Sequence, residues 1–118
     1  MEKIRFFTDL LFWKKGRELT LHVYRITKTF PPEERYGLTS QMRRSAISIT
    51  SNIAEGFGRR GKADKARFYD ISIGSLYELQ SQFLIAQDVQ LVSKEDFNVC
   101  DGLIQETRRL LLSWLAGA

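Results

Sequence analysis

Proline, cysteine and histidine are all scarce in this chain of 118 residues. Its two prolines, Pro31 and Pro32, are adjacent. Proline has no amide N–H and breaks helices, so regular structure is interrupted hard at one place only. A single cysteine, Cys100, excludes an internal disulfide and fits a reducing, intracellular setting. A single histidine, His22, leaves little material for acid–base catalysis or metal binding. No stretch approaches the ~20 apolar residues of a membrane span. Charges interrupt Met1 to Thr8, unlike the apolar run of a secretory leader. The expectation is a cytoplasmic protein with no membrane association. Alternating apolar and polar runs, hairpin signals and internal repeats are also missing, which argues against strands.

What is present suits one domain of ordinary composition, 43% hydrophobic and 27% charged, long enough to bury a core unaided. The net charge is +4, and its placement matters more than its size. Between Arg35 and Arg67 lie eight of the 18 bases and only two of the 14 acids, Glu55 and Asp64. The bases are Arg35, Arg43, Arg44, Arg59, Arg60, Lys62, Lys65 and Arg67. Such polarity draws polyanions from a distance.

At 100° per residue the apolar positions sort into four helices. Over 9–30, Phe12, Gly16, Leu19, Val23, Ile26 and Phe30 share one side, widened by Trp13, Thr20, Tyr24 and Thr27. Leu21 falls on the polar side, and Pro31 and Pro32 end the helix. Over 39–57, with Thr39 as N-cap, Leu38, Met42, Ala46, Ile49, Ile53 and Phe57 align. Gly56 and Gly58 are expected to close this helix in left-handed geometry. A helix over 94–115, capped by Ser93, repeats Phe97, Cys100, Ile104, Thr107, Leu111 and Trp114 at spacings of three and four.

The helix over 62–89 differs from the others. Ala66, Tyr69, Ile73, Leu76, Tyr77, Phe83 and Leu84 form one apolar arc; Phe68, Ile71, Leu79, Ala86 and Val89 form a second. Together they cover roughly 240°, against the ~100° that a surface helix needs. Part of this helix is therefore expected to face another subunit. Links of about seven, four and three residues make successive helices antiparallel neighbours. The fold class is all-α: an antiparallel up-down-up-down four-helix bundle, assembling as a homo-oligomeric ring.

The second helix has an unusual outer face: Gln41, Arg44, Ser45, Ser48, Ser51, Asn52 and Glu55. Serine is a weak helix former, and a plain solvent face favours Glu and Lys. Small side chains allow a close approach, so Ser48, Ser51, Asn52 and Glu55 read as a subunit contact, with Glu78 opposite. If the chain folds back around Arg59–Gly61, Arg44 lies level with Ser75, and an Arg43–Glu78 or Arg44–Glu78 pair fixes the register.

Tyr36-Gly37-Leu38-Thr39-Ser40-Gln41, Arg43-Arg44, Ser48-Ile49 and Ser51-Asn52-Ile53-Ala54-Glu55-Gly56 together resemble the bacterial four-helix-bundle family named for the 23S rRNA intervening sequences. Lys28-Thr29-Phe30-Pro31, Arg67-Phe68-Tyr69 and Gly74-Ser75-Leu76-Tyr77-Glu78-Leu79 fit the same pattern. Thr50 stands where that family often has proline, which makes the second helix more regular. The resemblance implies ring-shaped homopentamers with no established catalytic activity. It also implies kinship with accessory proteins of diversity-generating retroelements, which bind nucleic acid and partner a reverse transcriptase.

Three functions compete. In the first, Arg59, Arg60, Lys62, Lys65 and Arg67, with Arg43 and Arg44 in support, hold RNA or DNA phosphates, and a ring multiplies the contact. Phe57, Phe68 and Tyr69 are near enough to stack on bases, although their spacing places them in the core. In the second, the ring is a scaffold docking on an enzyme such as a reverse transcriptase. The third, an enzyme, has no support. Cys100 sits on an apolar seam. Asp64, Asp70 and Glu78 lack the Glu-x-x-His spacing of a bundle metal site. No strand precedes the glycine-rich Gly56–Gly61, so it is not a nucleotide-binding loop. No catalytic residue, metal site or cofactor is expected.

Overall fold

A computed structural model describes residues 3–117, so only part of the Met1–Thr8 reading can be compared with it. Four helices account for most of these residues: α1 (Leu11–Thr27), α2 (Leu38–Phe57), α3 (Lys62–Asp88) and α4 (Lys94–Gly117). Short 3-10 turns, Phe7–Asp9 and Pro32–Glu34, precede α1 and α2. Among the described residues there is no strand. At 1.5 Å per residue α3 is about 40 Å long, which matches the 43 Å long axis of the molecule.

Each helix packs on two others: α1 on α2 and α4, and α3 on α2 and α4. Partner numbers fall on one helix as they rise on its neighbour. Ser45 meets Glu78, and Ser48 meets Ser75. Lys15 meets Glu106, and Arg25 meets Asp96. The shared core includes Leu19, Val23, Met42, Ala46, Ile49, Ile53, Leu76, Leu79, Phe83, Ile104 and Leu111, all fully buried. Each large aliphatic or aromatic side chain buried there contributes about 1.5–3 kcal/mol relative to exposure. Tyr69 anchors one end, with edge-on contacts to Phe12 at 5.3 Å and Trp114 at 4.8 Å.

Several helix ends differ from expectation. α1 stops at Thr27, before the prolines. The Thr27 hydroxyl donates to Val23 O, and Thr29 and Phe30 N–H turn back onto Ile26 and Thr27. α2 begins at Leu38 with Gly37 as its cap. Glu34 Oε1 accepts the Leu38 N–H, the role expected of Thr39. Ser93 does cap α4, its hydroxyl accepting the Asp96 N–H at 3.1 Å. α2 runs unbroken through Thr50.

Neither Gly56 nor Gly58 is left-handed. No glycine has positive φ, and Gly58 sits at φ −74°. Gly56 is required by proximity: a Cβ there would lie 2.7 Å from Tyr69 Cε1. The left-handed residue is Gln90, at φ 64°. It ends α3 in a Schellman motif, with Leu91 N–H on Ala86 O and Gln90 N–H on Gln87 O.

α3 buries Tyr69, Ser72, Ser75, Leu76, Leu79, Phe83 and Ala86. This face straddles the two arcs read from the sequence. Tyr77 and Leu84, from the first arc, are exposed; Leu79 and Ala86, from the second, are buried. Ile71, Ile85 and Val89 share the outer side, each at least 43% exposed.

Candidate nucleic-acid interface

The sequence groups Arg59, Arg60, Lys62, Lys65 and Arg67 into one basic cluster at the α2–α3 turn. The fold brings them together but ties three of them down. Arg59 donates to Glu55 at 2.6 Å and has Asp64 at 3.7 Å. Arg67 donates twice to Asp64 Oδ1, at 3.0 and 3.2 Å. Both guanidiniums lie over the Phe68 ring, at 4.6 and 4.5 Å from its centroid. Lys65 Nζ donates to Phe57 O at 2.6 Å, a carbonyl left open at the end of α2, and to Gly56 O at 3.4 Å, which also accepts the Arg59 N–H. Its ammonium also lies over the Phe57 ring. Within this cluster only Arg60 and Lys62 are exposed with no acid partner among the described residues.

Arg43 and Arg44 lie elsewhere. Arg43 is about 24 Å from Arg59 along α2, taking 1.5 Å per residue. Its Nε donates to the Thr27 hydroxyl at 2.9 Å, and its guanidinium lies 4.6 Å from the Tyr24 ring centroid. Arg35 sits over Tyr36, which is 86% exposed. Tyr24, Arg35, Tyr36, Arg43, Arg44 and Ile47 line an open cavity of about 500 Å³ where α1, the 3-10 turn and α2 meet. No acid lines this cavity, and Arg35, Arg43 and Arg44 have no acid partner among the described residues. The basic third of the chain thus forms two separate cationic regions.

The expected contact face on α2 adjoins α3, and much of its polarity is already satisfied. Ser48 and Ser75 share a 2.7 Å hydrogen bond, and Asn52 Nδ2 donates to Ser48 O and Oγ. Ser45 donates to Glu78 at 2.8 Å, and Ser72 donates to Ile49 O. Glu55 serves Arg59; Ser51 is exposed. The expected Arg43–Glu78 and Arg44–Glu78 ion pairs do not form. The register differs by about one turn, with Ser48 rather than Arg44 level with Ser75, so Ser45 reaches Glu78 first.

Cys100 is fully buried, and burial, with Asp96 adding to it, pushes the thiol up to about 12. The Arg25 guanidinium donates to His22 Nδ1 at 3.0 Å. Among the described residues no three His, Cys, Asp or Glu side chains gather as a metal site. Among the described residues no helix is long and apolar enough to cross a membrane.

A model of the family described as 23S rRNA-intervening sequence protein matches residues 8–113. Among solved structures, the chain is similar to a protein of unknown function from the S23 ribosomal protein family of Bacteroides thetaiotaomicron. The TM-score is 0.81 at 19% identity, over 87% of this chain and 96% of that one. At that identity the likeness speaks for the fold alone. No curated protein matches.

Proposed function

The chain belongs to the 23S rRNA-intervening sequence protein family, and from that premise we propose that it is a non-catalytic, self-associating nucleic-acid-binding protein of the cytoplasm. One observation carries the reading: five of the eight bases between Arg35 and Arg67 (Arg35, Arg43, Arg44, Arg60 and Lys62) have neither an acid nor a carbonyl partner among the described residues. Unneutralised cations in two groups, one at each end of α2, suit phosphates on a strand. Lys65, held only by carbonyls, adds to the field, whereas Glu55 and Asp64 offset Arg59 and Arg67.

The opposed order of partner residues supports an antiparallel, up-down-up-down bundle. The outer side of α3 supports assembly as a ring, with five copies as the family resemblance implies. Ile71, Ile85 and Val89 are exposed beside serines whose hydroxyls are already bonded. Burying that face removes apolar area from water, with the Glu78 carboxylate on the same side partly satisfied by Ser45. A second copy is its occupant, and repeated head-to-tail with a rotation that closes, the contact makes a ring. The ring repeats each modest cationic group and gains avidity. A reverse transcriptase carrying RNA offers the same polyanion and belongs to this reading as a partner.

Fluorescence polarisation with labelled RNA and DNA at 50 and 200 mM salt tests the function. Binding at 50 mM that weakens steeply by 200 mM is the expected result. No binding at low salt to any nucleic acid would refute it.

A further inference from the structure

Resting on the nucleic-acid reading above, the geometry points to a more specific role for the Tyr24–Tyr36 cavity: we propose that it takes one unpaired nucleotide of a single strand, stacking the base and holding its phosphate.

Three features set this cavity apart from the α2–α3 turn. The first is charge. Arg35, Arg43 and Arg44 border it with no acid among the lining residues. At the turn, by contrast, Asp64 and Glu55 consume Arg59 and Arg67. The second is a free aromatic. Phe57 and Phe68 at the turn already have cations over their rings, and Tyr69 is buried. Tyr36 is 86% exposed, with only the Arg35 guanidinium near it, 5.6 Å from the centroid. Tyrosine is stiff, with few torsions to freeze, so a base can stack on it at low entropic cost.

The third feature is preorganisation. Arg43 is fixed at two points, by its Nε bond to Thr27 and by the Tyr24 ring beneath it. Thr27 is itself held, its hydroxyl donating to Val23 O. Arg43 therefore presents a planar, positioned guanidinium, which suits phosphate forks and base faces alike. Ile47, 44% exposed, adds an apolar wall. The volume of about 500 Å³ lies within the usual range for a ligand site.

A duplex buries its base faces in the stack and presents mainly phosphate, so this cavity discriminates strandedness. Stacking and phosphate contacts do not involve the sugar, so single strands of RNA and DNA bind alike. A free nucleotide lacks the flanking phosphates that Arg60 and Lys62 reach.

Polarisation assays on the whole chain test this with a labelled single-stranded RNA, a DNA of the same sequence, the blunt RNA duplex, and AMP as competitor. Wild type is expected to bind both single strands about tenfold more tightly than the duplex, with AMP competing only weakly. Tyr36→Ala is expected to lose about tenfold on single strands and nothing on the duplex, while Tyr36→Phe keeps wild-type affinity. Sedimentation of Tyr36→Ala is expected to match wild type. Equal binding of single strand and duplex with a silent Tyr36→Ala overturns the cavity assignment and leaves the general nucleic-acid function standing. A changed subunit number in Tyr36→Ala also overturns it, because the cavity is then an interface between copies. Binding to none of the four probes removes the function itself.

Discussion

Gly56 on α2 lies against the buried ring of Tyr69 on α3, so close that a Cβ at position 56 would stand 2.7 Å from Tyr69 Cε1 and 3.1 Å from Phe68 Cβ. Tyr69 cannot yield easily, because Phe12 and Trp114 hold its ring edge-on. This close approach seats the α2–α3 turn, and the turn positions Arg60 and Lys62. Gly56→Ala is therefore expected to destabilise the fold by about 1–3 kcal/mol through overpacking. That loss outweighs the ~1 kcal/mol an alanine gains within a helix. Urea unfolding measures it; an unchanged or raised midpoint would contradict the packing described.

Gln90 behaves in the opposite way. It is exposed, takes φ 64°, and has no contact that requires its side chain. Left-handed geometry costs a residue with a Cβ about 1–2 kcal/mol. Glycine adopts it without that strain but has more freedom to lose on folding. Gln90→Gly is expected to stabilise by roughly 1 kcal/mol net, and Gln90→Val to destabilise. Thermal melts of the two variants should move in opposite directions.

Asp64 holds both Arg59 and Arg67. All three side chains are well exposed, so the ion pairs contribute little stability, and Asp64→Asn is expected to cost about 1 kcal/mol including its place in the first turn of α3. The variant frees Arg67 beside Arg60 and Lys62 and leaves Arg59 on Glu55. Affinity for single-stranded RNA at low salt should rise severalfold, and the dependence on salt should steepen. Reduced affinity in polarisation assays would mean that the carboxylate positions the arginines for their partner.

The buried Cys100 thiol, pushed up to about 12 against an ordinary 9.0, links stability to alkaline pH. The unfolded thiol loses its proton near pH 9, whereas the folded one keeps it. The contribution is therefore fully present below pH 9 and is lost as pH rises from 9 towards 12. Chemical denaturation across that window should show stability falling for wild type and falling less for Cys100→Ala. At pH 8 a thiol reagent should react only as fast as the chain unfolds.

Helix number, order and most boundaries were legible because apolar periodicity reports burial directly. Met42, Ala46, Ile49 and Ile53 read as one stripe and are all buried. What depended on distance between elements was not legible. The need for Gly56 comes from Tyr69, thirteen positions away and on another helix. The α2–α3 register slipped by a turn because loop length alone does not set where two helices meet. On α3 the buried face falls between two apolar arcs, so the outward positions of Tyr77 and Leu84 were hidden. The Tyr24–Tyr36 cavity was missed because its residues come from α1, a turn and α2. Its trace in the sequence is a run from Arg35 to Ala54 with three arginines and no acid, bordered by exposed tyrosines.

Assembly requires that a second copy cover the outer side of α3, where Ile71, Ile85 and Val89 are exposed. Sedimentation equilibrium at micromolar concentration tests this directly, on wild type and on Ile85→Asp. The account predicts a wild-type mass that is a multiple of the 13.7 kDa chain, five copies by the family resemblance, and dissociation in Ile85→Asp with helical content retained. A single well-behaved species of 13.7 kDa for wild type would contradict it.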